Sequence, residues 1–143
     1  MKILPLLVVA VSLFLASHVP AADPKPAGGA KAAAAKDVTP DEAAELMKDR
    51  ARVLVIDVRT SDEFAEGHIA GAKNVDFLGD DFEKMIATLP KDKALIIHCA
   101  SGNRSARAVT KIAEMQRSGQ IFHLKSGFNG WVAAGKPIEG VKR

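Results

Sequence analysis

The sequence predicts an α/β domain with a small parallel sheet covered by helices on both faces. Two observations predict it. The run Leu95–Ile97 is short, continuous and apolar, as a strand buried on both faces must be, and Val53–Val58 and Ile121–Leu124 read as further strands. Segments with helix-capping signals and helical apolar spacing alternate with those runs, the pattern of helices packed over a parallel sheet.

The elements follow in order. Thr39-Pro40-Asp41-Glu42 places a capping residue, a proline at the first helical position and a capping-box acid, so a helix runs to about Asp49. Val53 to Val58 is the first strand. Thr60-Ser-Asp-Glu63 repeats the capping box and opens a short helix ended by Gly67. Ala72 to Phe77 reads as a further strand. Asp80-Asp-Phe-Glu83 begins a helix whose Phe82, Met85, Ile86 and Leu89 share the spacing of one buried face, and Pro90 closes it. The run ending in His98 is the next strand, followed by a helix from about Ser105 to Arg117. Gly119 follows as its C-cap, Ile121 to Leu124 is the last strand, and Phe128 to Ala134 is a terminal helix stopped by Gly135 and Pro137.

Not all 143 residues belong to that domain. Residues 1–22 have the layout of a secretory signal: basic Lys2, an apolar stretch from Ile3 to Ala16, and small residues for cleavage after Ala21, with Ala22 the alternative. The apolar stretch is shorter than the roughly 20 residues that span a bilayer, so the expected product is periplasmic with no stable membrane association once the signal is cleaved. A retained anchor is the other reading. Residues 23–36, rich in Ala, Pro, Gly and Lys, read as a flexible linker, and residues 37–143 as the single domain. The formal charge of +3 becomes +2 without Lys2, with acids interspersed among the bases, so no nucleic-acid surface is indicated. With one cysteine there is no internal disulfide, and Cys99 is either a buried small hydrophobe or a reactive thiol.

Its surroundings favour reactivity. Cys99 stands at the carboxyl end of a strand, where ligands sit in such sheets. The loop Ala100-Ser-Gly-Asn-Arg104 then leads into a helix, so backbone N–H groups and a helix N-terminus converge near the sulfur and favour its anion. Gly102 permits a positive φ in this tight loop. Ser101, Asn103 and Ser105 either turn polar groups toward bound oxygens or cap the helix, capping being the expected task of Ser105. Arg104 and Arg107 share a helix face if both are helical; they are solvated surface residues or contacts for an anionic substrate, with Arg104, closing the loop, the stronger candidate. His98 follows the strand alternation to the opposite face from Cys99, which argues against a direct Cys–His dyad. His68 and His123 lack metal-ligand spacing to each other or to Cys99, so no metal or other cofactor is expected.

From Asp37 to Lys136 the chain resembles the rhodanese, or sulfurtransferase, domain. The resemblance rests on Asp57-Val-Arg59, Glu63-Phe64, Gly67-His-Ile-x-Gly-Ala-x-Asn74, His98-Cys-Ala-Ser-Gly-Asn-Arg-Ser105, and Gly127 to Trp131 with Gly135-Lys-Pro137. Each piece is weak; their order and spacing together are specific. With the export signal, the chain is similar to the small periplasmic single-domain members. The resemblance implies that Cys99 takes the outer sulfur of a small anionic donor such as thiosulfate, becomes a persulfide, and passes the sulfur to a thiophilic acceptor, with the loop from Ala100 to Ser105 binding the substrate. It places Asp57, Arg59 and Glu63 beside the site, mainly holding the loop, and reads Gly67, His68 and Gly71 as turn and packing residues. The sequence leaves a protein partner unidentified. Two departures stand out. Ala100 replaces the arginine that the better-known thiosulfate enzymes carry after the cysteine, which puts efficient thiosulfate use in question. Ser126 replaces the first of two glycines before the terminal helix.

Two rivals remain. A cysteine phosphatase or arsenate reductase of the same fold shares His-Cys, a Gly-containing loop and Arg-Ser. Loop length opposes that reading: Ala100 to Asn103 supply four residues between cysteine and arginine, one fewer than the phosphatase signature. A non-catalytic module that binds a partner or carries persulfide would keep the same fold.

Overall fold

The computed structural model describes residues 35–115 and 119–140. The readings of residues 1–22 as a signal and of 23–34 as linker, and the reading of Arg117 as helical, fall outside those residues.

Seven strands and five helices occur among the described residues: β1 (Lys36–Val38), α1 (Pro40–Leu46), β2 (Val53–Asp57), α2 (Ser61–Glu66), β3 (His68–Ile69), β4 (Lys73–Asn74), α3 (Phe82–Thr88), β5 (Ala94–His98), α4 (Asn103–Glu114), β6 (Ile121–Leu124), α5 (Gly127–Ala133) and β7 (Ile138–Glu139). Five strands form a parallel sheet in the order β1-β6-β5-β2-β4. β3 and β7 form a separate antiparallel pair.

Register divides the core. Leu95 is aligned with Leu54 and Ile121, and Ile97 with Ile56 and His123, so these side chains share one face. There Ile56, Leu95, Ile97 and Ile121 pack with Phe82, Ile86 and Leu89 from α3 and its end and with Ala108 and Ile112 of α4. One residue along, Val55, Ile96, Phe122 and Leu124 face the other way, onto Ala43 of α1 and Trp131 of α5. Each large apolar side chain removed from water contributes about 1.5–3 kcal/mol, and this two-sided burial holds a sheet that has no disulfide.

Both capping boxes form as expected. Thr39 and Glu42 close one reciprocally at α1, and Thr60 and Glu63 close the other at α2. α1 ends earlier than Asp49, because Lys48 and Asp49 donate to Glu45 and Leu46, a tighter i to i+3 turn that winds the helix up. On α3 and at its C-cap, Phe82, Ile86 and Leu89 are buried but Met85, at the edge of their stripe, is exposed. The strand expected over Ala72 to Phe77 keeps only Lys73–Asn74 as regular pairing. As an edge strand with β2 as its one neighbour, it continues through Val75 N–H to Asp57 and Phe77 N–H to Val58. β1 starts one residue inside the segment read as linker, and β3 and β7 were not expected; strands this short carry no measurable alternation.

Candidate active site

β5 delivers Cys99 to the carboxyl edge of the sheet, flanked there by β2 and β6. The chain then turns through Ala100, Ser101 and Gly102 and enters α4 at Asn103. Gly102 adopts φ +96°, and a Cβ there would lie 2.1 Å from the Lys125 carbonyl oxygen, so both conformation and space require glycine. Gly127 (φ +62°) is confined in the same way against the Ala100 and Cys99 carbonyls. That proximity has a purpose: Phe128 N–H donates to the Cys99 carbonyl at 2.7 Å, and Asn129 N–H to that of Ala100 at 3.0 Å. The first turn of α5 thus clamps the backbone of the cysteine loop. Ser126 enters this turn with helical dihedrals and caps nothing with its side chain.

The Cys99 sulfur lies among donors. Gly102 N–H is 3.2 Å from Sγ and the Ser105 hydroxyl oxygen 3.4 Å. Burial pushes the thiol up, but the Ser105 hydroxyl and the backbone N–H groups of Ser105, Ser101 and Gly102 outweigh it, so the Cys99 pKa falls below the ordinary thiol value.

Ser105 requires a correction. The helix begins at Asn103 with Gly102 as its N-cap, so Ser105 lies inside the first turn and caps nothing. Its buried hydroxyl instead lies 3.0 Å from the Gly102 carbonyl, 2.9 Å from His123 Nε2, and against Sγ. Ala100 is half-buried, while Ser101 and Asn103 are exposed at the rim.

Arg104 closes the loop, yet its guanidinium fork is spent on Glu63, at 2.6 and 2.7 Å. Glu63 meanwhile keeps its cap on Thr60, and the Arg104 hydrogen bonds hold its carboxyl down at about 2, while Glu63 in turn raises the Arg104 pKa. The expected anion contact is thus first of all a tie between α4 and α2. Arg107 stands over the ring of Phe77, 5.2 Å from its centroid, rather than beside Arg104 as a second anion ligand.

On the opposite face of the sheet, Asp57 and Arg59 form a buried pair. Arg59 donates to both Asp57 oxygens and to the Gly67 carbonyl, and lies over Phe128, 4.2 Å from the ring centroid. Because Phe128 holds the Cys99 carbonyl, the pair supports the loop from beneath. His98 points to this face, as alternation demands: Nε2 is 3.8 Å from Asp57, Nδ1 is 3.3 Å from the Cys99 carbonyl, and neither nitrogen reaches the sulfur. Burial pushes its pKa down, which keeps it neutral. Among the described residues no group of three His, Cys, Asp or Glu is placed to hold a metal ion.

Sequence reasoning missed two residues. His123 lies against Ser105, and Asp37 holds the far side of its ring, Nδ1 to Oδ1 3.0 Å. A polar residue inside the otherwise apolar run Ile121–Leu124 was the available signal, since a buried histidine needs partners.

Known proteins place this arrangement in context. Residues 39–134 match the family described as Rhodanese-like domain. The chain is 33% identical over 107 residues to Thiosulfate sulfurtransferase GlpE of Haemophilus influenzae (strain PittEE), covering 73% of this chain and 94% of that protein. It is 34% identical over 101 residues to Dual specificity phosphatase Cdc25 of Arabidopsis thaliana, covering 62% of this chain and 68% of the relative. Among solved structures, a rhodanese-related protein from Thermoplasma volcanium matches with a TM-score of 0.62 at 27% identity, covering 73% of this chain and 98% of that one.

Proposed function

The chain belongs to the rhodanese-like domain family, and on that premise we propose that it is a sulfurtransferase in which Cys99 carries sulfur as a persulfide. One observation carries the reading: the sole cysteine ends a sheet strand inside a ring of hydrogen-bond donors that favours its thiolate. With thiosulfate as donor, the thiolate attacks the outer sulfur, a new S–S bond forms, and sulfite leaves with the electron pair of the bond that breaks. The loop N–H groups that stabilise one sulfur anion suit the terminal sulfur of the persulfide. Cyanide or another thiophile then attacks that sulfur, the S–S bond breaks, and the thiolate returns. No oxidant or reductant is consumed.

Ala100 contributes no charge where the better-known thiosulfate enzymes have arginine, and Arg104 is paired with Glu63. Donor binding by Arg104 therefore requires partner exchange, and a donor other than thiosulfate is compatible with the same chemistry. We place the reaction in the periplasm on the strength of the signal-like N-terminus. N-terminal sequencing of exported material tests this; a product retaining Met1 in the membrane fraction contradicts it.

A second reading, cysteine phosphatase chemistry, draws on the likeness to the Arabidopsis phosphatase. The four-residue loop and the engaged Arg104 fork weigh against it, since a phosphate needs a wider ring of N–H groups and a free guanidinium. Rates of thiocyanate formation and of aryl phosphate hydrolysis, each with wild type and Cys99→Ser, separate the two. We expect thiocyanate formation in the wild type alone and phosphate hydrolysis in neither. Faster phosphate hydrolysis than sulfur transfer overturns the reading.

A further inference from the structure

Four side chains from four separate places in the sequence form one hydrogen-bonded file: Cys99 Sγ, Ser105 Oγ at 3.4 Å, His123 Nε2 at 2.9 Å from that hydroxyl, and Asp37 Oδ1 at 3.0 Å from Nδ1. We propose that His123 is the proton acceptor for Cys99, acting through the Ser105 hydroxyl with Asp37 fixing its tautomer. The proposal rests on the reading of Cys99 as the nucleophile.

Sheet register builds the file. Asp37 is aligned with His123 across β1 and β6, and His123 with Ile97 across β6 and β5, so all three point to one face, the face to which Cys99 also belongs. α4 then lays Ser105 over the gap between sulfur and imidazole. Ser105 is fully buried and His123 nearly so, which keeps bulk water from replacing the intermediate hydroxyl.

Donor and acceptor roles follow from the end of the file. The Asp37 carboxyl is held below its usual range, first by the hydrogen bond from His123 and also by Lys125, whose Nζ is 3.5 Å from Oδ2. As a carboxylate it only accepts, so Nδ1 of His123 bears a proton and the neutral ring presents Nε2 as acceptor. In the resting form the Ser105 hydroxyl donates to Nε2 and the Cys99 thiol to Oγ. When the thiol ionises, its proton passes to Oγ as the Ser105 proton passes to Nε2. The product is a thiolate receiving a hydrogen bond from Ser105 and an imidazolium donating to Ser105 at Nε2 and to Asp37 at Nδ1. One proton moves in net terms, and no charge is created without a partner. The Gly102 carbonyl competes for the hydroxyl but already accepts from Ala106 N–H, and a thiolate is the stronger acceptor. The charged and titratable groups facing the file are Asp37 and Lys125 at its outer end, and Cys99 with Arg104, which feels the thiolate field, at its inner end.

Composition makes the test direct. The chain has one cysteine and no tyrosine, so the ultraviolet absorbance of a thiolate titrates without interference from tyrosinate. Thiolate absorbance and iodoacetamide alkylation rate are recorded against pH for wild type, Ser105→Ala, His123→Gln and Asp37→Asn, with the His123 ring resonances followed in wild type and Cys99→Ser. Ser105→Ala and His123→Gln are expected to raise the thiolate midpoint by about one pH unit or more, the size a nearby charge produces, and Asp37→Asn to raise it less. Reciprocally, His123 must lose a proton more readily in Cys99→Ser, where the facing thiolate is gone. A merely structural histidine would not show that coupling. Unchanged midpoints in folded His123→Gln and Asp37→Asn overturn the relay; if His123→Gln does not fold, an unshifted His123 titration in Cys99→Ser overturns it equally. A wild type that shows the coupling yet takes no sulfur from thiosulfate keeps the relay and rejects the sulfurtransferase reading instead.

Discussion

Two histidine–aspartate pairs lie on opposite faces of the same sheet, and each is aligned by strand register: Asp37 with His123, and Asp57 with His98. They use identical chemistry for different ends. Asp57 is wholly buried and already bonded by Arg59, so His98 stands 3.8 Å away with Nε2 unsatisfied, kept neutral by burial. Asp37 sits at the rim beside the exposed Lys125, and it grips His123 at 3.0 Å and turns the far nitrogen toward Ser105 and the thiol. Which cation claims the carboxylate decides whether the imidazole is oriented for proton exchange or sealed into the framework.

The largest expected effect separates the two aspartates by stability. Asp57→Ala leaves the Arg59 charge buried without its partner, a loss of about 3–5 kcal/mol. Asp37→Ala removes an exposed carboxylate and is expected to leave denaturant unfolding within the scatter of surface substitutions. Equal losses at the two positions would show that Asp37 is as structurally committed as Asp57.

A middle-sized effect distinguishes the histidines by pH. Burial lowers the His98 pKa below its unfolded value of about 6.5. Between those two values the unfolded chain binds the extra proton, so the stability associated with neutral His98 is present at neutral pH and is lost as pH falls below about 6.5. Thermal unfolding followed from neutral pH into the acid range should therefore decline less steeply in His98→Gln than in wild type. An identical slope would show that His98 is not the buried neutral group described here.

The smallest effect belongs to the ion pair bridging α2 and α4. Glu63 titrates near 2 in the folded state against an ordinary 4.5, so its contribution is present above 4.5 and lost as pH falls toward 2. Solvent screens a pair this exposed, and Glu63→Gln is expected to cost only about 0.5–1 kcal/mol near neutrality and to flatten the acid limb below pH 4.5. A larger loss would move Glu63 from loop support into the structural core of the site.

What the sequence made legible was local. The capping boxes at Thr39 and Thr60, the apolar runs and the Gly102 turn each depend on residues within a few positions of one another, and the order of those elements implies the parallel sheet. The remainder depends on distant pairs. Glu63 could be read as a cap, but its second bond, to Arg104, spans 41 positions. Asp37 and His123 are 86 apart and meet because β1, absent from any apolar pattern, joins the sheet edge beside β6. The sequence places the helix start near Ser105, two residues later than the observed start at Asn103, and that small difference changes Ser105 from a cap into a hydrogen-bond partner of the thiol.

Intact mass measured before and after exposure to thiosulfate tests the proposal that Cys99 carries sulfur. The wild type is expected to gain the mass of one sulfur atom, cyanide to remove it with release of thiocyanate, and Cys99→Ser to gain nothing while unfolding at nearly the wild-type temperature. A folded wild type that never acquires the sulfur, or a Cys99→Ser protein that acquires it equally, would contradict the assignment.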